Sequence, residues 1–140
     1  MLVDINPKIW GKSFWNTLYL SVYSYPSNPS DEDKTNMLMF LTSITNILPC
    51  KNCRTNYSEH IKKYPLTEVV LQSNKNLTEW LININNEVNL KIGKSKVNHK
   101  DIINNLFNVK HSIKHTINIV LIFVIIILVI FYIRVLGIKN

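Results

Sequence analysis

A chain of 140 residues, 46% of them hydrophobic and 18% charged, has room for one domain of ordinary size and little else. Its net charge of +7 is uneven, because residues 1–109 carry 12 Lys/Arg and 9 Asp/Glu, whereas residues 110–140 carry four basic residues and no acidic ones. The excess of basic residues lies beside an apolar C-terminal stretch, where positive charge suits the anionic headgroups of a membrane. The sequence has no dense stripe of basic residues, so we do not expect nucleic acid as a partner.

The first predicted helix covers residues 7–25. Pro7 is acceptable in the first turn of a helix, where its missing N–H costs nothing. Apolar residues recur at helical spacing along one face of this segment: Ile9, Phe14, Leu18 and Val22. The sequence PSNPS at residues 26–30 then breaks the chain.

The second and third helices are predicted on either side of a proline. Ser30, followed by Asp33 three residues later, resembles a capping box that starts a helix running to Leu48. Pro49 stops this helix. A third helix is expected over about Cys50–Tyr64, ending before the next proline.

A fourth helix is predicted after a loop, with a cap formed by Asn76 and Glu79 and an end at Gly93. Its apolar residues recur at steps of three and four: Leu77, Trp80, Leu81, Ile84, Val88 and Ile92. Asn98 would cap a short fifth helix over residues 99–108. Because no run alternates with period two, the fold class is predicted as all-α, a bundle of four or five helices.

The segment Thr116–Ile133 contains no charged residue and a single polar amide, Asn118. A helix of this length spans about 27 Å, close to the thickness of a bilayer core. A buried core helix is the alternative, but a remaining domain of roughly 110 residues could hardly surround an entirely apolar rod. We therefore expect one transmembrane helix.

The position of this helix near the C-terminus predicts a tail anchor with the rest of the chain on the cytosolic side. Basic residues flank the span on both sides, so the distribution of charge does not decide the orientation: Lys110, Lys114, Arg134 and Lys139. The first ten residues lack the basic and apolar regions of a secretory signal, and none is expected.

The chain has two cysteines, Cys50 and Cys53, which can form one redox couple or half of a metal site. At the start of a helix, residues i and i+3 lie close enough for a disulfide, and the free N–H groups and helix dipole stabilise a thiolate. Lys51 and Arg54 add positive charge nearby. We expect Cys50 to be the reactive sulfur and to be more exposed than Cys53.

Two other interpretations of the cysteine pair remain at this point. One is half of a zinc site completed by His60, His99, His111 or His115, although the sequence has no second CxxC, HxxH or CxxH pair. The other is a pair of ordinary buried cysteines. A single CxxC motif does not by itself distinguish these possibilities from redox chemistry.

Three separated motifs resemble those of the Erv/ALR family of FAD-linked sulfhydryl oxidases. Residues 11–15 (GKSFW) resemble the family's GR-x-x-W, residues 48–53 (LPCKNC) its YPCxxC, and residues 85–94 (NNEVNLKIGK) its HNxVNxxLGK. Order and approximate spacing match as well, and the resemblance covers about residues 6–98. The small size, the few cysteines and the anchor are most similar to the versions of large cytoplasmic DNA viruses, which implies a host-cell or virion membrane.

The resemblance implies a four-helix bundle with a short extra helix, a homodimer, and FAD at the mouth of the bundle. It also implies an oxidoreductase that forms disulfides in protein thiols and passes the electrons to O2, giving H2O2. Substrate would attack Cys50, and Cys53 would pass the electrons to the flavin. The domains are then predicted as oxidase (1–99), juxtamembrane segment (100–115), membrane helix (116–136) and tail (137–140).

The resemblance further implies a set of cofactor-binding residues and no resident metal. These residues are Gly11, Lys12, Trp15, Tyr19, Asn56, Tyr57, Trp80, Asn85, Asn86, Val88, Asn89, Lys91 and Lys94. Lys12 replaces an arginine and cannot form its bidentate fork on a phosphate. Tyr19, Asn56 and Asn85 stand where the family has histidine. Because Asn85 has no aromatic ring, FAD is expected to be held less tightly or by different stacking.

A second departure is that relatives often carry a further shuttle CxxC, which this chain lacks. Substrate is therefore expected to reach Cys50 directly, either as a protein dithiol or as a small thioredoxin-like or CxxxC-containing thiol carrier.

Two other functions remain as alternatives. One is a membrane-anchored interaction module of the same fold that has lost FAD, and the other is a membrane-tethered metal-binding or chaperone-like protein.

Overall fold

The computed structural model describes residues 3–107 and 109–137, with side chains described for residues 3–107, 117–134 and 137. Within these residues the secondary structure is α-helical, as predicted. The helices are α1 (Pro7–Tyr23), α2 (Asp31–Ile47), α3 (Lys51–Lys63), α4 (Glu68–Leu71), α5 (Asn74–Lys91), α6 (His99–Phe107) and α7 (Val109–Gly137). The helices form two compact units, Met1–Ile102 and Ile103–Asn140.

The first unit is a bundle of the four long helices α1, α2, α3 and α5. Helix α5 packs against α1, α3 and α4, and α2 packs against α3 and α4. Its fully buried side chains come from α1, α2 and α5, and they are Leu18, Val22, Leu41, Ile44, Leu77, Leu81 and Ile84. The apolar faces predicted for α1 and α5 are therefore correct in their central turns.

Two apolar residues at the ends of these helices are not in the core. Ile9, in the first turn of α1, is 76% exposed, and Ile92, the C-cap of α5, is 59% exposed. Their assignment to the buried faces was wrong. Each continues the helical spacing, but each lies beyond the length over which the neighbouring helices pack.

Most helix ends follow the predicted local signals. The Ser30 hydroxyl accepts from the Asp33 N–H at 3.1 Å and the Asp33 carboxylate accepts from the Ser30 N–H at 2.9 Å, which completes the capping box. Asn98 and Asp101 cap α6 in the same reciprocal way. Gly93 follows α5 with a φ of 71°, a conformation that glycine adopts without strain. Asn108, the predicted last residue of the fifth helix, lies outside the described residues.

The region before α5 differs from the prediction. Residues 68–71 form the short helix α4, capped by Thr67, where a loop was expected. Helix α5 is capped by Ser73, whose hydroxyl accepts from the Asn76 N–H at 3.2 Å, so the predicted cap at Asn76 was wrong. The Asn76 side chain instead donates to the Val69 carbonyl at 2.7 Å. Serine and asparagine both cap helices, and here the contact with α4 selects the serine.

The second unit contains α7 and the end of α6. The stretch Ile117–Arg134 of α7 is long and apolar enough to cross a membrane, and its side chains are exposed rather than packed in a protein core. This exposure distinguishes it from the buried core helix that was the alternative. Lys110, Lys114, His111 and His115 have no described side chains, and Lys139 lies outside the described residues.

Candidate active site

The two cysteines form a disulfide in the first turn of α3. Cys50 is the N-cap, its Cα lies 5.1 Å from that of Cys53, and its Sγ accepts a hydrogen bond from the Cys53 N–H at 3.2 Å. The Arg54 guanidinium donates to the Leu48 carbonyl, which joins the end of α2 to the start of α3. A sulfur at this position faces free N–H groups and the positive end of the helix dipole, which favour a thiolate.

The exposure of the two cysteines is the reverse of the predicted order. Cys50 is only 7% exposed, whereas Cys53 is half-buried. On either side of Cys50 the backbone contacts the N-terminal segment: the Ile5 N–H donates to the Pro49 carbonyl at 2.7 Å, and the Lys51 N–H donates to the Asp4 carboxylate at 2.9 Å. This segment was not among the predicted site residues, because nothing in its sequence indicates a contact with residue 50.

Helix α1 carries the first group of predicted cofactor residues. The rings of Trp15 and Tyr19 lie 6.2 Å apart, Tyr19 is buried, and Lys12 is exposed. A Cβ atom added at Gly11 would meet no described atom within 4 Å, so packing within the chain does not require glycine there. The Tyr19 Oη has no hydrogen-bond partner among the described residues.

Tyr19 lies against Asn85 of α5. Burial strongly raises the pKa of the Tyr19 hydroxyl, and the Asn85 side chain offsets part of this rise without the geometry of a hydrogen bond. Asn85 is itself buried, and its Oδ1 accepts from the Asn89 Nδ2 at 2.9 Å. The structure thus brings together the predicted residues of α1 and α5 at one buried position with an unsatisfied hydroxyl.

The predicted cofactor residues at and just beyond the end of α5 differ in their contacts and burial. Lys91 Nζ contacts Asn56 Oδ1 at 2.6 Å and Glu59 Oε2 at 3.2 Å, which brings α5 and α3 together beside the disulfide-bearing turn. Val88 is half-buried and Lys94 is exposed. Lys91 and Asn56 are therefore a real pair across two helices, while Lys94 lies on the surface.

Three predicted cofactor residues use their polar atoms to hold the bundle. The Asn86 side chain donates to the Val97 carbonyl at 3.0 Å and accepts from the Val97 N–H at 2.8 Å. The Tyr57 hydroxyl donates to the Leu41 carbonyl at 3.0 Å. The indole N–H of Trp80 donates to the carbonyl of Tyr64 at 2.8 Å, and the Tyr57 and Trp80 side chains are both buried. Their cofactor contacts stay predictions, but each has a structural role.

His60 is a buried polar residue, and the sequence suggested only a role as a zinc ligand for it. It follows Cys53 and Tyr57 on the same face of α3, is 6% exposed, and its Nε2 has no hydrogen-bond partner among the described residues. Burial, followed by the positive charge of Lys91, lowers its pKa. The spacing of seven residues from Cys53 was the available sequence signal. In the described part of the chain, no three His, Cys, Asp or Glu residues are grouped to hold a metal ion.

Comparison with known proteins identifies a family and relatives that match most of the chain. The sequence model of the Erv1/Alr family matches residues 12–111. A protein of Acanthamoeba polyphaga mimivirus, assigned as a FAD-linked sulfhydryl oxidase, is 40% identical over 99 residues, which cover 71% of this chain and 69% of the viral protein. The mitochondrial FAD-linked sulfhydryl oxidase ERV1 of Saccharomyces cerevisiae is 31% identical over 86 residues, covering 61% of this chain and 44% of the yeast protein.

Solved structures show the same architecture. The crystal structure of the yeast Erv1 core superposes with a TM-score of 0.64 at 26% identity, covering 74% of this chain and 85% of the yeast chain. The FAD-binding domain of yeast Erv1 superposes with the same TM-score of 0.64 at 27% identity, covering 71% of this chain and 92% of that domain.

Proposed function

Because the chain belongs to the Erv1/Alr family, we propose that its Cys50–Cys53 disulfide is the site at which a FAD-linked thiol oxidase accepts electrons from protein thiols. The observation that carries this proposal is a disulfide in the first turn of α3, a helix that packs against α5, where several of the motif residues lie. The relatives of this chain are named as FAD-linked sulfhydryl oxidases, and several of them are viral. We infer that this protein also comes from a large DNA virus.

The predicted cofactor residues of α1 and α5 fit FAD. The Tyr19 hydroxyl is buried without a protein partner and lies against Asn85, so a polar group of a bound ligand would satisfy it. The Trp15 ring offers an aromatic face next to Tyr19, and Lys12 offers a positive charge suited to a pyrophosphate. When bound, the flavin supplies two-electron transfer from the dithiol to O2, which leaves as H2O2.

The chain's own cysteines carry out the thiol chemistry. A substrate thiolate attacks Cys50 Sγ, a new S–S bond forms, and the Cys50–Cys53 bond breaks with Cys53 leaving as a thiolate. The second substrate thiolate then displaces Cys50, so that the substrate leaves as a disulfide and both cysteines are reduced. The N–H of Cys53 and the helix dipole stabilise the Cys50 thiolate that this step releases. Cys53 lies on the same face of α3 as the buried Tyr57 and is itself half-buried.

The substrate is a dithiol that reaches the Cys50–Cys53 pair without a shuttle from the same chain. These are the only cysteines in the sequence, so a second CxxC cannot relay the electrons. A protein dithiol or a small thioredoxin-like thiol carrier meets this requirement. The domain organisation that we propose has the oxidase at 1–99, a juxtamembrane segment at 100–115, the membrane helix at 116–136 and a tail at 137–140.

The proposed activity is tested on the full chain purified in detergent. A yellow protein with flavin absorption near ~450 nm, consuming O2 with an added dithiol and releasing one H2O2 per disulfide formed, is the expected result. A folded, colourless protein that does not bind added FAD and consumes no O2 would instead support the interaction module of the same fold.

The α7 helix is proposed to anchor the protein in a membrane, with the oxidase on the cytosolic side. Replacing Ile122 and Ile126 with arginine places two charges near the centre of the span, each costing about 2.5–3.5 kcal/mol of insertion free energy. We expect the double variant to leave the membrane fraction in alkaline carbonate, while wild type and the exposed-site control Ile92→Arg stay bound. Wild type released by carbonate would contradict an integral anchor.

A homodimer is proposed from an apolar surface on α2. Met39 is 58% exposed, Phe40 38% and Ile47 56%, and they share one side of α2 next to the face that buries Ile44. Large apolar side chains grouped on one exposed helix face are typical of a protein interface. Such a face can be covered by a second copy that presents the same helix.

We expect Met39→Lys combined with Ile47→Lys to halve the protein mass measured by light scattering in detergent, because two charges would be buried in the interface. Val69→Lys, at a residue of α4 that is 66% exposed, serves as the control and should leave the mass unchanged. A monomeric wild type, or a double variant that stays dimeric, would show that this α2 face is not the interface.

A further inference from the structure

The residues just before α1 form an N-terminal strap, residues 3–6, across the start of α3. The Ile5 N–H donates to the Pro49 carbonyl at 2.7 Å, and the Asp4 carboxylate accepts from the Lys51 N–H at 2.9 Å. The Trp10 indole N–H donates to the Ile5 carbonyl at 3.1 Å and ties the strap to α1. The two backbone groups that it occupies belong to the residues immediately before and after Cys50.

The strap opposes attack on Cys50 in two ways. Its contacts on both sides of Cys50 accompany an exposure of only 7%, although Cys53 three residues later is half-buried. The Asp4 carboxylate also takes a free N–H at the helix start and puts a negative charge near the sulfur, which repels an incoming thiolate. A substrate segment that bonds to the backbone on both sides of Cys50 therefore has to displace the strap.

Few contacts hold the strap in place. The Val3 side chain is 75% exposed and Ile5 is 41% exposed, so little apolar surface is buried when the strap lies on α3. The strap is held mainly by a small number of hydrogen bonds, two of which it makes with main-chain groups of residues 49 and 51. A segment with the same hydrogen-bonding groups can replace it at those two positions.

We propose that the Pro49 carbonyl and the Lys51 N–H are a main-chain docking site for substrate, which the N-terminal strap occupies until substrate displaces it. The site takes an extended segment that donates an N–H to Pro49 and presents an oxygen acceptor, such as Asp, Asn or Ser, to Lys51, as the strap does through Ile5 and Asp4. Substrate sulfur then bonds to Cys50 Sγ, the Cys50–Cys53 bond breaks, and Cys53 leaves as a thiolate that takes a proton from water. This inference rests on the proposed role of Cys50 as the attacked sulfur.

The test measures how fast a dithiol peptide reduces the Cys50–Cys53 disulfide of the full chain without O2, with alkylation of the freed thiols and mass spectrometry. Asp4→Ala removes the acceptor and the charge, and should raise the rate about three- to tenfold, the factor expected for one lost hydrogen bond of ordinary strength. Asp4→Asn keeps an acceptor oxygen and should stay closer to wild type. Asp31→Ala, an exposed acid in the first turn of α2, is the matched control and should not change the rate.

A competition experiment tests the docking site itself. Deleting residues 2–5 should raise the reduction rate at least as much as Asp4→Ala, and a synthetic peptide with the sequence of residues 2–8 should slow it again. The same peptide with alanine at the Asp4 position should be a weaker inhibitor. Wild-type rates in both Asp4→Ala and the deletion variant, or equal inhibition by both peptides, would overturn the inference.

The readout separates this inference from the proposed oxidase activity. Reduction of the disulfide is followed on the cysteines and does not depend on flavin or O2. A strap effect in a protein that consumes no O2 would reject the oxidase and keep the docking site. Normal O2 consumption with no strap effect would keep the oxidase and reject the docking site.

Discussion

Replacing either Cys50 or Cys53 with alanine should lower dithiol-dependent O2 consumption by at least about a hundredfold, since residues that act as one unit lose their function together. Neither single cysteine can form the disulfide that accepts the electrons. Flavin absorbance should persist in the Cys50→Ala variant, because the proposed cofactor residues of α1 and α5 remain. O2 uptake is measured with a dithiol in excess.

Serine variants separate the roles of the two sulfurs. In Cys53→Ser, the free Cys50 thiolate attacks the disulfide of the oxidised substrate and displaces one of its two sulfurs as a thiolate. The resulting mixed disulfide at Cys50 should accumulate and be located by mass spectrometry, because the variant has no second cysteine to displace the substrate. In Cys50→Ser, no such adduct should accumulate. An adduct found on Cys53 instead would mean that the more exposed sulfur is the one attacked, and that the assigned roles are reversed.

Replacing Trp80 with alanine should lower the free energy of unfolding by about 3–5 kcal/mol, the range for a large aromatic residue removed from a core. The Trp80 side chain is 4% exposed, and its indole N–H holds the Tyr64 carbonyl at the end of α3. Trp80→Phe should lose less, because it keeps most of the packing and loses only the hydrogen bond. Urea unfolding of the full chain in detergent, followed by circular dichroism, gives these values.

Glu79→Ala provides the control for this measurement, since Glu79 is an exposed neighbour on the same helix and should change stability by no more than about 0.5 kcal/mol. If Trp80→Ala unfolds like Glu79→Ala but loses the flavin, then Trp80 acts on the cofactor and not on the bundle.

Local chemistry made much of the fold predictable. The reciprocal hydrogen bonds of Ser30 and Asp33, the stop at Pro49 and the positive φ of Gly93 all depend on residues close in sequence. The apolar residues of α5 could be assigned because a helix buries one face along its packed length. The same reasoning failed at Ile9 and Ile92, because helical spacing does not show where packing ends.

Features that depend on distant partners were missed. Helix α4 has four residues and lies against α2 and α5, contacts that its own sequence does not indicate. The N-terminal strap joins residue 5 to residue 49 through main-chain atoms, which any residue other than proline could supply. Cys50, whose two neighbours make these long-range contacts, is the more buried sulfur, so the expected exposure of the two sulfurs was wrong.

The candidate site was predictable as a set of residues but not as a set of contacts. The structure brings Tyr19 together with Asn85, and Asn56 together with Lys91. The motif resemblance selected all four of these residues without pairing them. The resemblance could not show that the Asn86 side chain is bonded to Val97, because that partner lies beyond the matched motif. His60 was missed as a buried residue for a related reason, since its burial comes from α5 as well as α3.

An anaerobic titration of the purified flavoprotein with a dithiol tests most directly whether the Cys50–Cys53 pair delivers electrons to bound FAD. The account predicts that the flavin absorbance of wild type bleaches as dithiol is added and returns on admission of O2, whereas Cys50→Ala holds the same flavin without bleaching. A wild-type flavin that stays oxidised while both cysteines become reduced would contradict it.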